Sequence, residues 1–129
     1  FSTEQRLMVQ PYSFMVQCMT LPCLFAGKMH ALVYRQWKNR VKGRDWYDFE
    51  WYVRWGHTLS WEHLHERIVE FSGEECTQNE FMELLNHRLA TADINQVKAD
   101  VLPFVHHPKE LDIWSNDYFL QLAQRIRWE

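Results

Sequence analysis

Glycine is scarce in this chain: only Gly27, Gly43, Gly56 and Gly73 occur among 129 residues. No two of them have the spacing of a Walker loop or a dinucleotide fingerprint, so phosphate cradles built from glycine-rich turns are excluded. Cysteine is equally thin. Cys18, Cys23 and Cys76 form an odd, unpatterned set that fits a reducing compartment better than a disulfide scaffold. No run approaches the roughly 18 apolar residues of a membrane span, and the N-terminal stretch lacks the basic, apolar and small-residue order of a signal peptide. A cytoplasmic protein with no membrane partner is therefore expected. Excess positive charge is also missing. A formal charge of -3 and a pI near 6.2 argue against a general nucleic-acid-binding coat, while leaving room for a local basic patch.

What the chain does hold is apolar mass. With 47% hydrophobic and 16% aromatic residues it can bury the core of one compact domain. Phe1 stands where an initiator methionine would, which leads to the expectation of a piece of something longer. Residues 5 to 10, QRLMVQ, and 13 to 20, SFMVQCMT, alternate like strands about Pro11 and Tyr12. A β-hairpin over residues 1–20 is expected, leaning on helices or extending a larger sheet. Its open edge makes it a candidate for pairing two copies into a homodimer.

From residue 21 to 129 the signals are helical. Pro22 suits the first turn of a helix to about Gln36 or Trp37, and the polar KNRVKGR separates it from DWYDFEWYVRW, closed by Gly56. Ser60 can cap a helix whose Leu64, Ile68 and Phe71 share a face and which ends before Gly73. Thr77 and Glu80 have capping-box spacing ahead of Phe81, Leu84, Leu85 and Leu89. Asp93 can cap a short helix through Ile94, Val97 and Val101, stopped by Pro103. A last helix from about Ser115 to Arg127 would turn Phe119, Leu122, Ala123 and Ile126 inward. The fold class is thus mainly α within α+β: an N-terminal hairpin, then a five- or six-helix domain.

Within the first helix, LFAGKMHAL carries one charge. At 100° per residue Lys28 shares a stripe with Leu21, Leu24, Phe25 and Leu32, where an ammonium must snorkel out, meet a carboxylate or meet an anionic ligand. The carboxylates are in RDWYDFEWY. Asp45 and Asp48 are three apart and share a helical face with Phe49 and Tyr52. Asp45 reads as an N-cap and Asp48 as a first-turn acid, which accounts for their position. Helices joined by a short loop can lie side by side, letting Lys28 meet both aspartates in one polar pocket. A structural salt bridge and a ligand site both remain open.

Between them, Arg35, Lys38, Arg40, Lys42 and Arg44 place five cations within ten residues. They form either a solvated loop or an electropositive rim suited to a triphosphate or an RNA backbone. Trp37, Trp46 and Tyr47 are interleaved with them as candidate stacking groups or as core. The histidines make a poor zinc set, because His63 and His65 face nearly opposite sides of a helix and His106 and His107 lack an obvious third ligand. Cys18 and Cys23 read as buried thiols.

The stretch LPCLFAGKMHALVYRQWKNRVKGRDWYDFEWYV, with KADVLPFV and ELDIWSNDYFLQLAQRI downstream, resembles the AbiEii/AbiGii toxin family of nucleotidyltransferases. The resemblance implies an active site that handles a nucleoside triphosphate, with Mg²⁺ expected in the full-length protein and none held by this piece. It also implies a cognate antitoxin and bacterial toxin-antitoxin or abortive-infection function. Carried over, the family's lysine matches Lys28, and its Arg-Asp-x-x-Asp element matches Arg44, Asp45 and Asp48. Lys28, Asp45 and Asp48 are then candidate catalytic residues, and Arg35, Lys38, Arg40, Lys42 and Arg44 candidate substrate-binding residues. The family's N-terminal motif, a Gly-Ser turn followed by metal-holding carboxylates, has no counterpart here, so the chain is expected to be the C-terminal half and inactive alone. The alternative is a non-enzymatic helical module that binds a protein or RNA partner through its basic loop and aromatics.

Overall fold

A computed structural model describes residues 20–34 and 42–129 of the protein. The expected hairpin, Arg35, Trp37, Lys38 and Arg40 lie outside the described residues. The elements are α1 (Leu21–Tyr34), α2 (Gly43–Arg54), β1 (Thr58–Leu59), α3 (Trp61–Ser72), α4 (Gln78–Thr91), α5 (Ile94–Val101), 3-10 turns at Leu102–Phe104 and Pro108–Ile113, α6 (Asn116–Gln124) and β2 (Arg127–Trp128). The described part is therefore mainly helical, as the sequence pattern predicts, and adds a small parallel sheet that it did not.

Local chemistry starts and stops most helices where expected. The Ser60 hydroxyl accepts from the His63 amide at 3.2 Å, and Gly73 ends α3 in the left-handed conformation at φ +76°. Thr77 and Glu80 close a reciprocal capping box, with bonds of 3.0 and 2.8 Å. Asp93 accepts from two first-turn amides of α5, and Ser115 caps α6 through the Tyr118 amide. Other ends are closed from a distance. Arg88 on α4 donates to the Val33 carbonyl near the end of α1, and Asn116 donates to the Leu89 and Ala92 carbonyls at the end of α4.

The core is built around α1 and α2. Phe25, Ala26, Met29 and Leu32 of α1 are buried against Phe49, Tyr52 and Val53 of α2, and the Phe25 and Tyr52 rings stack at 4.6 Å and 6°. On its other side α2 joins an aromatic knot in which Phe119 packs edge-on to both Trp46 and Trp114. α3 and β1 also pack on α1, α5 packs on α2, and α4 on α6.

Several expectations fail for nonlocal reasons. The last helix stops at Gln124 rather than Arg127, because residues 127–128 pair in parallel with 58–59, Thr58 opposite Arg127 and Leu59 opposite Trp128. Phe71, on the helical face of buried Leu64 and Ile68, and Leu84, between buried Phe81 and Leu85, are themselves exposed. Phe71 instead covers His30 and Tyr34, edge-on to the imidazole at 5.2 Å.

Candidate functional site

α2 begins three residues earlier than an N-cap at Asp45 would place it. Its N-cap is Lys42, which makes no side-chain cap bond, so Asp45 is a first-turn acid rather than the N-cap and Asp48 falls in the second turn. The cause is Gly43. A Cβ there would collide with the Val97 carbonyl oxygen and crowd Val101, so only glycine lets the start of α2 press on the backbone of α5. That contact also brings Asp100 of α5 to the helix end, where its carboxylate accepts from the Gly43 amide at 2.7 Å and does the work of a cap.

This placement sets the candidate site. Lys28 and Asp48 meet across the α1–α2 contact, Nζ to Oδ2 at 2.8 Å, with side chains 42% and 35% exposed. The stripe on α1 grades accordingly: Phe25 and Leu32 are buried, whereas Leu21, Leu24 and Lys28 lie at its half-buried margin. Lys28 thus reaches the rim of the contact and finds its carboxylate there. Asp45, one turn earlier on α2, is buried. Arg44 turns its guanidinium over the Phe104 ring, 4.9 Å from the centroid. Trp46, a candidate stacking group, is a core residue at 3% exposure, and Tyr47 is half-buried with its hydroxyl 3.4 Å from Glu110. Burial and the charge of Glu110 raise the Tyr47 pKa.

One charged residue that sequence reasoning passed over is Glu50. It is buried, and its Oε2 accepts from Trp114 Nε1 at 3.2 Å and from the Tyr118 hydroxyl at 2.5 Å, with Arg54 at 3.8 Å. Burial, and then the bond to Glu50, push the Tyr118 hydroxyl up to about 12. The only local signal was an acid between Phe49 and Tyr52, both core residues. A cavity of about 540 Å³ opens elsewhere, lined by Tyr34, Ile68, Ser72, Glu80, Glu83 and Leu84, and it contains none of the predicted site residues.

Of the Arg-Asp-x-x-Asp element, then, Asp48 meets Lys28, while Asp45 is buried one turn earlier and Arg44 lies over Phe104. A family model described as nucleotidyl transferase AbiEii toxin, type IV TA system, matches residues 2–122. The chain belongs to the AbiEii toxin family. No curated protein and no solved structure matches it. Membership in the AbiEii family makes it a nucleotidyltransferase-type toxin of a toxin-antitoxin system, which implies a cognate antitoxin. Among the described residues no helix is long and apolar enough to cross a membrane. Among them, too, no three His, Cys, Asp or Glu side chains converge as a metal set, and one oxygen of Asp48 is already engaged by Lys28.

Proposed function

We propose that this chain contributes the helical, substrate-side half of a nucleotidyltransferase toxin's active site, with Lys28 facing the triphosphate of a nucleoside triphosphate. The observation that carries the reading is the half-exposed Lys28–Asp48 pair on the family motif. An exposed pair of this kind adds only about 0–1 kcal/mol to folding. Stability gives weak reason for a lysine on an otherwise apolar stripe, whereas a fixed cation at the rim of a helix contact suits phosphate oxygens.

In this reading Asp48 holds the ammonium in place, and Asp45 adds a second negative charge near the start of α2. The part of each charge is orientation and field. The transfer itself joins an acceptor oxygen to the α-phosphorus and breaks the bond to the β-phosphate, releasing pyrophosphate. The Gly-Ser turn and metal-holding carboxylates that this reaction requires belong in the proposal to sequence outside these 129 residues. Arg35, Lys38, Arg40, Lys42 and Arg44 would act through the phosphate field of the nucleotide or of an RNA acceptor, and a cytoplasmic location goes with such substrates.

The test uses the protein from its natural reading frame, incubated with candidate RNAs, Mg²⁺ and each nucleoside triphosphate, with mass spectrometry of the RNA. Lys28→Ala and Asp45→Asn should abolish transfer and toxicity while circular dichroism stays native. Neutralising Lys38, Arg40 and Lys42 together should weaken substrate binding in a salt-dependent way. A folded Lys28→Ala variant with full activity would return Lys28 to the status of a surface salt bridge.

A further inference from the structure

Past Asp48, the same face of α2 carries two tryptophans that the core does not use. Residues 48, 51 and 55 share one side of a helix, and the Trp55 amide still bonds to the Trp51 carbonyl at 3.0 Å, so the register holds to the helix end. Trp51 is 42% exposed and Trp55 69%. Trp51 is nonetheless held firmly, stacked on His57 at 4.9 Å and 29° and edge-on to Tyr52 at 5.1 Å. It is a rigid ring with an accessible face, beside a second ring that is mostly exposed.

Two guanidinium groups stand near these rings. Arg54 is exposed between them in sequence, and Arg127 of β2 reaches back to the Gly56 carbonyl, Nη1 to O at 3.3 Å, next to Trp55. The carboxylates of the region each have a partner: Asp48 pairs with Lys28, buried Glu50 lies 3.8 Å from Arg54, and Glu129 accepts from the Thr58 hydroxyl at 2.8 Å. Open aromatic faces flanked by guanidinium groups are the combination that holds single-stranded nucleic acid, in which bases stack on rings and phosphates meet cations. The spacing agrees. Seven residues of helix separate Asp48 from Trp55 by about 10 Å, the reach of about three stacked bases at roughly 3.4 Å each.

We propose that Trp51 and Trp55 form a stacking platform for unpaired bases of a single-stranded nucleic-acid acceptor, leading its end toward the Lys28–Asp48 pair. The inference rests on the nucleotidyl-transfer reading for its direction, and on the exposed rings and their arginines for the platform itself.

The test is fluorescence anisotropy of a labelled mixed-sequence single-stranded RNA 12-mer and of its duplex. It compares the wild-type protein with Trp55→Ala, Trp55→Leu, Trp55→Phe and Trp51→Ala. Trp55 is exposed, so its variants keep the fold even if Trp51→Ala does not. Trp55→Ala and Trp55→Leu should both raise the Kd for the single strand by roughly 5- to 100-fold. Trp55→Phe should stay close to wild type, and the duplex should bind more weakly than the single strand. Three results would each overturn the proposal: no binding of the single strand by the wild type, unchanged binding by Trp55→Ala, or full rescue by Trp55→Leu. The last would mark a generic apolar contact with a protein partner. Nucleoside triphosphate affinity, measured in parallel, should not change in the Trp55 variants. Loss of RNA binding in Trp55→Ala together with full transfer activity in Lys28→Ala would uphold the platform and reject the Lys28 assignment, so the two failures are distinguishable.

Discussion

Asp48 and Glu50 are two residues apart on α2 and live in opposite worlds. Glu50 is 6% exposed and its carboxylate is gripped by Trp114, Tyr118 and Arg54, tying α2 to the C-terminal part of the chain. Asp48 sits at the rim paired with Lys28, both side chains partly open to water. A buried carboxylate is tolerated only when several donors replace its hydration. Those donors make Glu50 part of the architecture. A single partner at a wet rim holds a charge in position while leaving it available, and this is the arrangement a binding site needs.

Perturbing the two sites separately sharpens the contrast. Glu50→Ala should have the largest effect on folding, a loss of about 3 kcal/mol in urea denaturation, because it strands the buried Trp114 N–H and frees the half-buried Tyr118 hydroxyl of its acceptor. Tyr118→Phe should come next, at about 1–2 kcal/mol, since it removes one donor from a carboxylate that stays buried. The same hydroxyl supplies a pH test. Its folded pKa is raised from 10.0 to about 12, so its contribution is complete below about pH 10 and is lost as pH rises toward 12. Thermal melts should fall across that window in the wild type, and less steeply in Tyr118→Phe. Tyr34, also raised to about 12 by burial and its neighbours Cys76 and Glu80, adds a fall of the same sign in both proteins. The smallest expected change belongs to the rim: Lys28→Met should move stability by less than about 1 kcal/mol. A loss on the order of 3 kcal/mol there would erase the distinction between the sites.

Much of the helical plan was legible in the sequence because capping is local. Ser60, Asp93, Ser115 and the Thr77/Glu80 pair bond to amides two or three residues away, so residue type and spacing suffice to find them. The Lys28–Asp48 juxtaposition was legible for a related reason, since two helices joined closely in the chain lie side by side. What escaped was nonlocal. The Asp100 cap on Gly43 spans 57 positions and the Glu50–Tyr118 bond 68, and the pairing of residues 58–59 with 127–128 joins distant segments. The first of these misplaced the start of α2 and so gave Asp45 the wrong position in the helix. Trp46 and Trp51 likewise look equivalent in DWYDFEWYVRW. Only the packing of Phe119 against one side of α2 sends Trp46 inward and leaves Trp51 at the surface.

The most direct test of the rim site's role is to measure folding and nucleotide transfer in one variant, Lys28→Ala, made in the protein from its natural reading frame. The account predicts a urea midpoint and circular dichroism close to wild type, with transfer to RNA abolished. Retained transfer in the folded variant, or loss of transfer only because the protein unfolds, would contradict it.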